Sequence, residues 1–256
     1  MESNKFPTEI IDLPSEGYFY PPGNPLSSGQ LEIKYMTAKE EDILTSKNLI
    51  QKGTALDKLL ESLIVSPIKY SDLLVGDKNA ILIASRILAY GKDYDVDIVC
   101  DDCNFKFNTS IDLTTLKNKE VDTSMCEKGT RTFKISLPLS KSQVEIKLLN
   151  HEDELAIDSE LKGLKKIVAI EGIERELTTR LKHIIVSING DTSREKINNF
   201  VMEELLSRDL MEIKKSIKKI LPDLDMEISK DCPKCSNTVK FSLPLNVDFF
   251  WPSGRE

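Results

Sequence analysis

The pattern of apolar and polar residues predicts several helices separated by short strands. A helix is predicted from Asp77 to Tyr90, where apolar residues recur every three or four positions and Gly91 follows as a stop. The segment Thr37 to Glu40 has the form of a capping box, which predicts a helix to about Lys47. Further helices are predicted at about 54–64, 151–161, 193–206 and 207–221.

Short alternating runs predict strands, and together with the helices they predict an α+β fold. The predicted strands lie at about 31–36, 96–99, 105–107, 131–138, 143–149, 226–229 and 239–241. The stretch 164–189 is ambiguous, because β-branched runs at Ile167–Ile170 and Ile184–Ile188 flank a helix-like segment, Glu174–Lys182.

Two parts of the chain have related sequences. Asp77–Cys103 aligns without a gap on Asp209–Cys235, and upstream Leu31–Lys34 resembles Val144–Lys147. The aligned pairs include Asp77/Asp209, Ile81/Ile213, Leu88/Ile220, Asp93/Asp225 and Val96/Ile228. We infer a tandem duplication of a helix-plus-strand unit, with a chance similarity between two amphipathic segments as the alternative.

The duplication predicts five segments along the chain. They are an extended N-terminal arm at 1–30, a first repeat at 31–113, a linker and strand at 114–143, a second repeat at 144–245 and an aromatic C-terminal tail at 246–256.

Each predicted repeat carries one Cys-x-x-Cys pair between two strand-like runs. The four cysteines are Cys100, Cys103, Cys232 and Cys235. Two such hairpins supply the four thiolates of a closed structural zinc site. An ordinary zinc ribbon separates its pairs by roughly 15–20 residues, far fewer than here. The duplication accounts for the long gap, because related halves would bring equivalent hairpins together. The sequence therefore predicts one structural zinc per chain that joins the two halves through paired zinc-knuckle hairpins.

The predicted cellular compartment favours a metal over disulfides at these cysteines. The chain of 256 residues has a net charge of -7 and 30% charged residues. It has no long apolar run, and its N-terminus lacks the basic and apolar regions of a signal peptide, so we expect folding in a cytoplasm. Paired cysteines in that reducing compartment favour metal binding. A thioredoxin-like redox site is the competing use, but it needs a motif that opens a helix. Cys126 is predicted to be a bystander.

The motifs of enzymes are not found in the sequence, and a non-enzymatic protein is predicted. His151 and His183 stand apart from any nucleophile or paired acid, and neither a phosphate-binding glycine loop nor a dinucleotide-binding turn occurs. Acidic clusters at 40–42 and 152–154 fall in first helical turns, where the helix dipole explains them. A zinc ribbon that binds nucleic acid is the alternative. However, the basic run Lys214–Lys219 is diluted by nearby acids and predicts a solvent-exposed helix face.

Both ends of the chain carry large aromatic residues on short segments. They are Tyr18, Phe19 and Tyr20 near the N-terminus, and Phe249, Phe250 and Trp251 near the C-terminus. Aromatic residues of this kind anchor protein interfaces, so these six are predicted to bind a partner. The alternative is that both segments fold back onto the body of the same chain.

Four stretches in this order resemble one family: LPSEGYFYPP, LEIKYMTAKEEDIL, RILAYGKDYDVDIVCDDC, and CPKC with FSLPLNVDFFWP. The chain resembles the T-even-type bacteriophage baseplate proteins over nearly its whole length. The resemblance implies virion morphogenesis: a protein made in the host cytoplasm that helps to build, or joins, the central hub of a contractile tail baseplate. The implied partners are other hub or tail proteins, with a homo-oligomer left open. An assembly chaperone absent from the mature virion is the alternative. The resemblance brings no catalytic residues, and zinc is inferred from the cysteines alone.

Overall fold

The computed structural model describes residues 7–251, with residues 165–171 described by their backbone alone. Residues 1–6 of the predicted arm and 252–256 of the predicted tail lie outside this part. Within it the chain is a mixture of helices and small antiparallel sheets, so the α+β class predicted from the sequence is confirmed. Among the helices of the described residues, none combines the length and apolarity needed to cross a membrane.

The N-terminal part contains four strands and four helices. They are β1 (Thr8–Asp12), β2 (Gln30–Lys34), α1 (Ala38–Thr45), α2 (Lys47–Lys52), α3 (Ala55–Leu63), α4 (Val75–Tyr90), β3 (Asp93–Val99) and β4 (Lys106–Asp112). β1 pairs antiparallel with β2, and β3 pairs antiparallel with β4. β1 lies within the segment predicted as an extended arm.

The C-terminal part repeats this order with one additional sheet strand. Its elements are β5 (Thr132–Ser136), β6 (Gln143–Lys147), α5 (His151–Glu171), α6 (Glu176–Ile184), β7 (Ile185–Ile188), α7 (Arg194–Asn199), α8 (Ser207–Ile220), β8 (Glu227–Asp231) and β9 (Thr238–Ser242). β5, β6 and β7 form one antiparallel sheet, and β8 pairs with β9. α5 extends well past its predicted end at residue 161. A π-helical turn, Phe200–Glu204, replaces the end of the predicted helix 193–206.

The strand-to-helix junctions of the two parts have the same capping geometry. The backbone N–H of Thr37 donates to Glu40 Oε2 at 2.9 Å before α1, and the N–H of Asn150 donates to Asp153 Oδ2 at 3.2 Å before α5. Each carboxylate also pairs with a lysine of the preceding strand; these lysines are Lys34 and Lys147. The acidic clusters at these positions therefore begin helices.

A buried aspartate lies in the first turn of α4, and another lies in the first turn of α8. Each accepts hydrogen bonds from the loop that joins two paired strands: β1 and β2 for α4, and β5 and β6 for α8. Asp77 Oδ1 accepts the N–H of Ser15 at 3.0 Å, and Asp209 Oδ1 accepts the N–H of Leu139 at 2.8 Å. The second oxygen of each carboxylate has a different kind of donor. Asp77 accepts the hydroxyl of Tyr20, whereas Asp209 accepts another backbone N–H. Both carboxylates are fully buried, so these bonds fix the loops to the helices.

α4 lies at the centre of the molecule, and every one of its side chains is buried or half-buried. The segment that follows α8 crosses its first turn. A Cβ atom added to Gly76 would lie 1.7 Å from the Pro222 carbonyl oxygen, so glycine is required for this close approach. Asn79 Nδ2 donates to Asp223 Oδ1 at 3.0 Å, and the N–H of Lys119 donates to the Asp223 carbonyl at 2.8 Å. The N-terminal and C-terminal parts therefore share one core.

Candidate metal centre

Two hairpin turns of the same geometry present the four cysteines. The backbone N–H of Cys100 donates to the Phe105 carbonyl at 3.0 Å, and that of Cys232 donates to the Asn237 carbonyl at 2.9 Å. The residues after Cys103 and Cys235 are Asn104 and Ser236, with φ angles of 55° and 59°. This left-handed conformation closes each turn, and the two sulfurs of each pair lie within 4.8 Å of each other.

The four sulfurs have the spacing of a tetrahedral metal site. The Cys100 and Cys235 Sγ atoms are 3.6 Å apart, the Cys103 and Cys232 Sγ atoms are 3.7 Å apart, and all four lie within 4.8 Å of one another. Four sulfurs at a Zn–S distance of about 2.3 Å would be separated by about 3.8 Å. The side chains present therefore fit a closed metal site with four cysteine ligands, and each hairpin contributes two of them.

The surroundings of the sulfurs lower the pKa of Cys100 and raise those of Cys103 and Cys235. The backbone N–H groups of Cys103 and Asp102 donate to the Cys100 sulfur and lower the pKa of Cys100 to about 6. The backbone N–H of Asn237 acts in the same direction on Cys235, but desolvation and the neighbouring thiols raise its pKa to about 12. Binding of a divalent cation would therefore release protons from this site.

The site is covered on one side and open on the other. Cys100 and Cys232 are buried with Ile98 and Val239 in a small apolar cluster separate from the main core. Cys103 is half-buried and Cys235 is exposed. Since a two-stranded hairpin is marginally stable alone, this apolar cluster helps to hold the two hairpin ends together.

Asn237 is a residue of the site that the sequence interpretation missed. Its Nδ2 donates to Asp101 Oδ1 at 2.9 Å and lies 3.9 Å from the Cys100 sulfur, so it connects the second hairpin to the first. The alignment places Asn237 opposite Phe105. The sequence signal for a special role of Asn237 is that a polar residue stands where the first hairpin has an aromatic residue. Lys234, also of the second hairpin, lies over the Phe105 ring at 5.8 Å.

The N-terminal aromatic residues predicted to bind a partner are packed against the chain itself. Phe19 and Tyr20 are 2% and 5% exposed. The Tyr20 hydroxyl donates to buried Asp77 at 2.5 Å, and the Tyr18 hydroxyl donates to the Cys126 carbonyl at 2.9 Å. These contacts agree with the alternative in which the N-terminal segment folds back onto its own body.

The C-terminal aromatic residues are placed in the same way. Phe249 and Phe250 are 1% and 0% exposed within a short 3-10 turn, and Trp251 is half-buried against the core. Arg86, itself buried in α4, donates to the Phe249 carbonyl at 3.3 Å. A partner would reach Phe249 and Phe250 only if this turn left the core.

The remaining candidate groups are engaged in structural contacts. His151 is buried, and its Nδ1 lies 3.1 Å from Lys78 Nζ, while His183 Nε2 lies 2.9 Å from Glu160 Oε2. Burial, together with Lys78, lowers the pKa of His151. Cys126 is buried in the main core, away from the other cysteines.

Fold and site together define an α+β protein whose two parts share a core and whose two Cys-x-x-Cys hairpins bring four sulfurs together. A family model described as T4 bacteriophage base plate protein matches residues 21–251. The chain therefore belongs to the T4-type baseplate protein family, and the resemblance seen in the sequence is confirmed. The match supports a structural or assembly role in the phage tail baseplate, with contacts to other tail proteins. No curated protein and no solved structure gives a significant match.

Proposed function

We propose that this chain is a non-enzymatic component of the central hub of a contractile tail baseplate and acts through protein–protein contacts. The observation that supports the proposal most is the family match over residues 21–251, which includes both cysteine hairpins. In this role the chain is made in the host cytoplasm and becomes part of the tail baseplate.

The two parts of the chain are proposed to be copies of one ancestral unit. Support comes from the shared order of hairpin, capped helix, aspartate-anchored helix and Cys-x-x-Cys hairpin. The repeats would begin upstream of the predicted boundaries at residues 31 and 144. β1 and β5 pair in the same way with β2 and β6.

A single structural zinc is proposed to bind Cys100, Cys103, Cys232 and Cys235. The sulfur spacing supports a tetrahedral ion, and a reducing cytoplasm favours zinc over disulfides at such a site. A bound zinc would contribute on the order of 10 kcal/mol to the stability of the joined hairpins. Its role is to fix the two halves relative to each other at the cysteine hairpins, outside the main core.

The role in the hub is tested by quantitative mass spectrometry of purified particles and of isolated baseplate intermediates. A hub subunit is expected at constant stoichiometry in both preparations. A chain found in the intermediates but missing from finished particles would instead be an assembly chaperone. A chain missing from both would contradict the proposed function.

A further inference from the structure

The exposed side of α8 carries a concentrated positive charge, and we call it the α8 face. It consists of Arg208, Met211, Lys214, Lys215, Lys218 and Lys219, all of them exposed. Met211, the apolar member of the α8 face, is 69% exposed. The opposite side of the helix is buried through Asp209, Ile213, Ser216 and Ile220.

The cations of the α8 face form no salt bridge within the described residues; Asp122 lies near Lys219, and half-buried Glu212 borders the face. Among the described residues, no carboxylate oxygen lies within 4.0 Å of the side-chain nitrogens of these five cations. Lys214 and Lys218 are four positions apart, as are Lys215 and Lys219, and like charges at this spacing repel each other on a helix surface. The helix dipole offsets this repulsion only for Lys218 and Lys219, which lie in the last turn.

The helix that corresponds to α8 in the N-terminal part is α4. The side of α4 that is equivalent to the α8 face is covered by other residues of the chain. In the alignment Leu82, Ile83 and Ile87 of α4 occupy the positions of Lys214, Lys215 and Lys219. Leu82 and Ile83 are buried. Arg86 occupies the position of Lys218 and donates to the carbonyl of Phe249, in the turn that contains Asp248. A short aromatic segment therefore packs on this side of α4.

From these observations, and resting on the proposed function, we propose that the α8 face binds an acidic segment of a different tail protein, with Met211 as the apolar contact. Charge complementarity decides the chemistry of the partner, because five cations on a chain of net charge -7 attract a local cluster of carboxylates. Exposed Glu203 precedes the helix and would repel a phosphate backbone that continued past the face, whereas a short acidic segment can end before it. A flexible, exposed methionine is suited to an apolar protein contact.

Charge reversal tests this surface in the full-length chain. The variant Lys215→Glu with Lys218→Glu is compared with Lys47→Glu and Lys52→Glu, which make the same charge change on the exposed side of α2. Each variant is supplied during infection by a phage that lacks the gene. The fraction of the chain that co-sediments with baseplate intermediates is then measured. We expect about a tenfold or greater loss for the α8 variant, with wild-type co-sedimentation for the α2 variant and unchanged thermal unfolding for both.

A zero-length carbodiimide cross-linker, which joins lysine amines to carboxylates, identifies the occupant in wild-type intermediates. Cross-links from Lys214, Lys215, Lys218 or Lys219 to Asp or Glu of another tail protein would support the proposal. Equal co-sedimentation of both variants would overturn it, as would cross-links only between copies of this chain or association lost on nuclease treatment. Absence of the wild-type chain from all intermediates would instead count against the proposed function.

Discussion

Replacement of Gly76 by alanine should break the contact between α4 and the segment that follows α8. Gly76 lies in the first turn of α4, and an added Cβ would be 1.7 Å from the Pro222 carbonyl oxygen and 3.0 Å from the Asp223 Cα. Both neighbours are backbone atoms, so no side-chain rotation relieves the clash. The helix and the crossing segment would have to move apart by about 1.7 Å to reach ordinary contact distance.

The size of the effect follows from three contributions. Overpacking of a close-packed site costs about 1–3 kcal/mol. Separation also weakens two hydrogen bonds of Asp223, from Asn79 and from the Lys119 N–H, each with a net value of about 1 kcal/mol. Alanine regains up to about 1 kcal/mol of helix propensity relative to glycine. The expected net loss is about 2–4 kcal/mol, a large part of the roughly 5–15 kcal/mol that stabilises a typical protein.

Urea denaturation at neutral pH measures this loss, with Gly163→Ala as the matched control. Gly163 lies inside α5, and a Cβ there meets no atom within 4 Å. Its replacement should therefore stabilise the protein by about 0.5–1 kcal/mol. If Gly76→Ala proved as stable as the wild type while Gly163→Ala behaved as expected, the two halves would not share the rigid contact described here.

Three further predictions concern single side chains. Cys232→Ser should lower bound zinc, measured by elemental analysis, well below one ion per chain and should accelerate amide exchange in β8 and β9. The control Cys126→Ser should keep the metal. Full zinc in Cys232→Ser would contradict the assignment of four cysteine ligands. Burial alone would raise the pKa of Glu40, but hydrogen bonds from neighbouring side chains lower it from 4.5 to about 2. Its stabilising contribution, roughly 3 kcal/mol, is therefore complete above pH 4.5 and lost as the pH falls toward 2. The stability gap between wild type and Glu40→Gln in urea should close over that range, and a constant gap would refute the assignment. Burial would likewise raise the pKa of Asp209, but two backbone N–H groups lower it, while burial raises the pKa of Asp77. Asp209→Asn should consequently cost about 1–3 kcal/mol at neutral pH and more than Asp77→Asn; the opposite order in thermal unfolding would be inconsistent with these pKa shifts.

The cysteine hairpins and most helices could be predicted because their signals are local. A Cys-x-x-Cys turn contains both sulfurs of a pair, and the capping boxes and apolar spacing lie within one or two helical turns. The stretch around Ile167–Ile170 was ambiguous because β-branched residues favour strands. It continues α5, since a few tenths of a kcal/mol of propensity per residue does not end a helix already begun.

The positions of the aromatic termini could not be predicted from local patterns. The Tyr20 hydroxyl bonds to Asp77, 57 positions away, and the Phe249 carbonyl bonds to Arg86, 163 positions away. Such contacts depend on the tertiary arrangement of α4, which no periodicity reveals. The local charge pattern of α8 was enough to predict that one of its sides faces solvent. The neighbours that cover α4 could not be predicted, because they lie far away in the sequence.

The wide separation of the cysteine pairs has a consequence for the order of events during synthesis. Cys103 and Cys232 are 129 positions apart, and a ribosome that adds about 5–20 residues per second needs roughly 6–26 seconds to make that stretch. The first pair of thiols therefore leaves the ribosome as half a site. The second pair completes it only after the whole intervening stretch has been made. Metal capture would thus report that both hairpins have been made, and a chain truncated between them would be left without the ion.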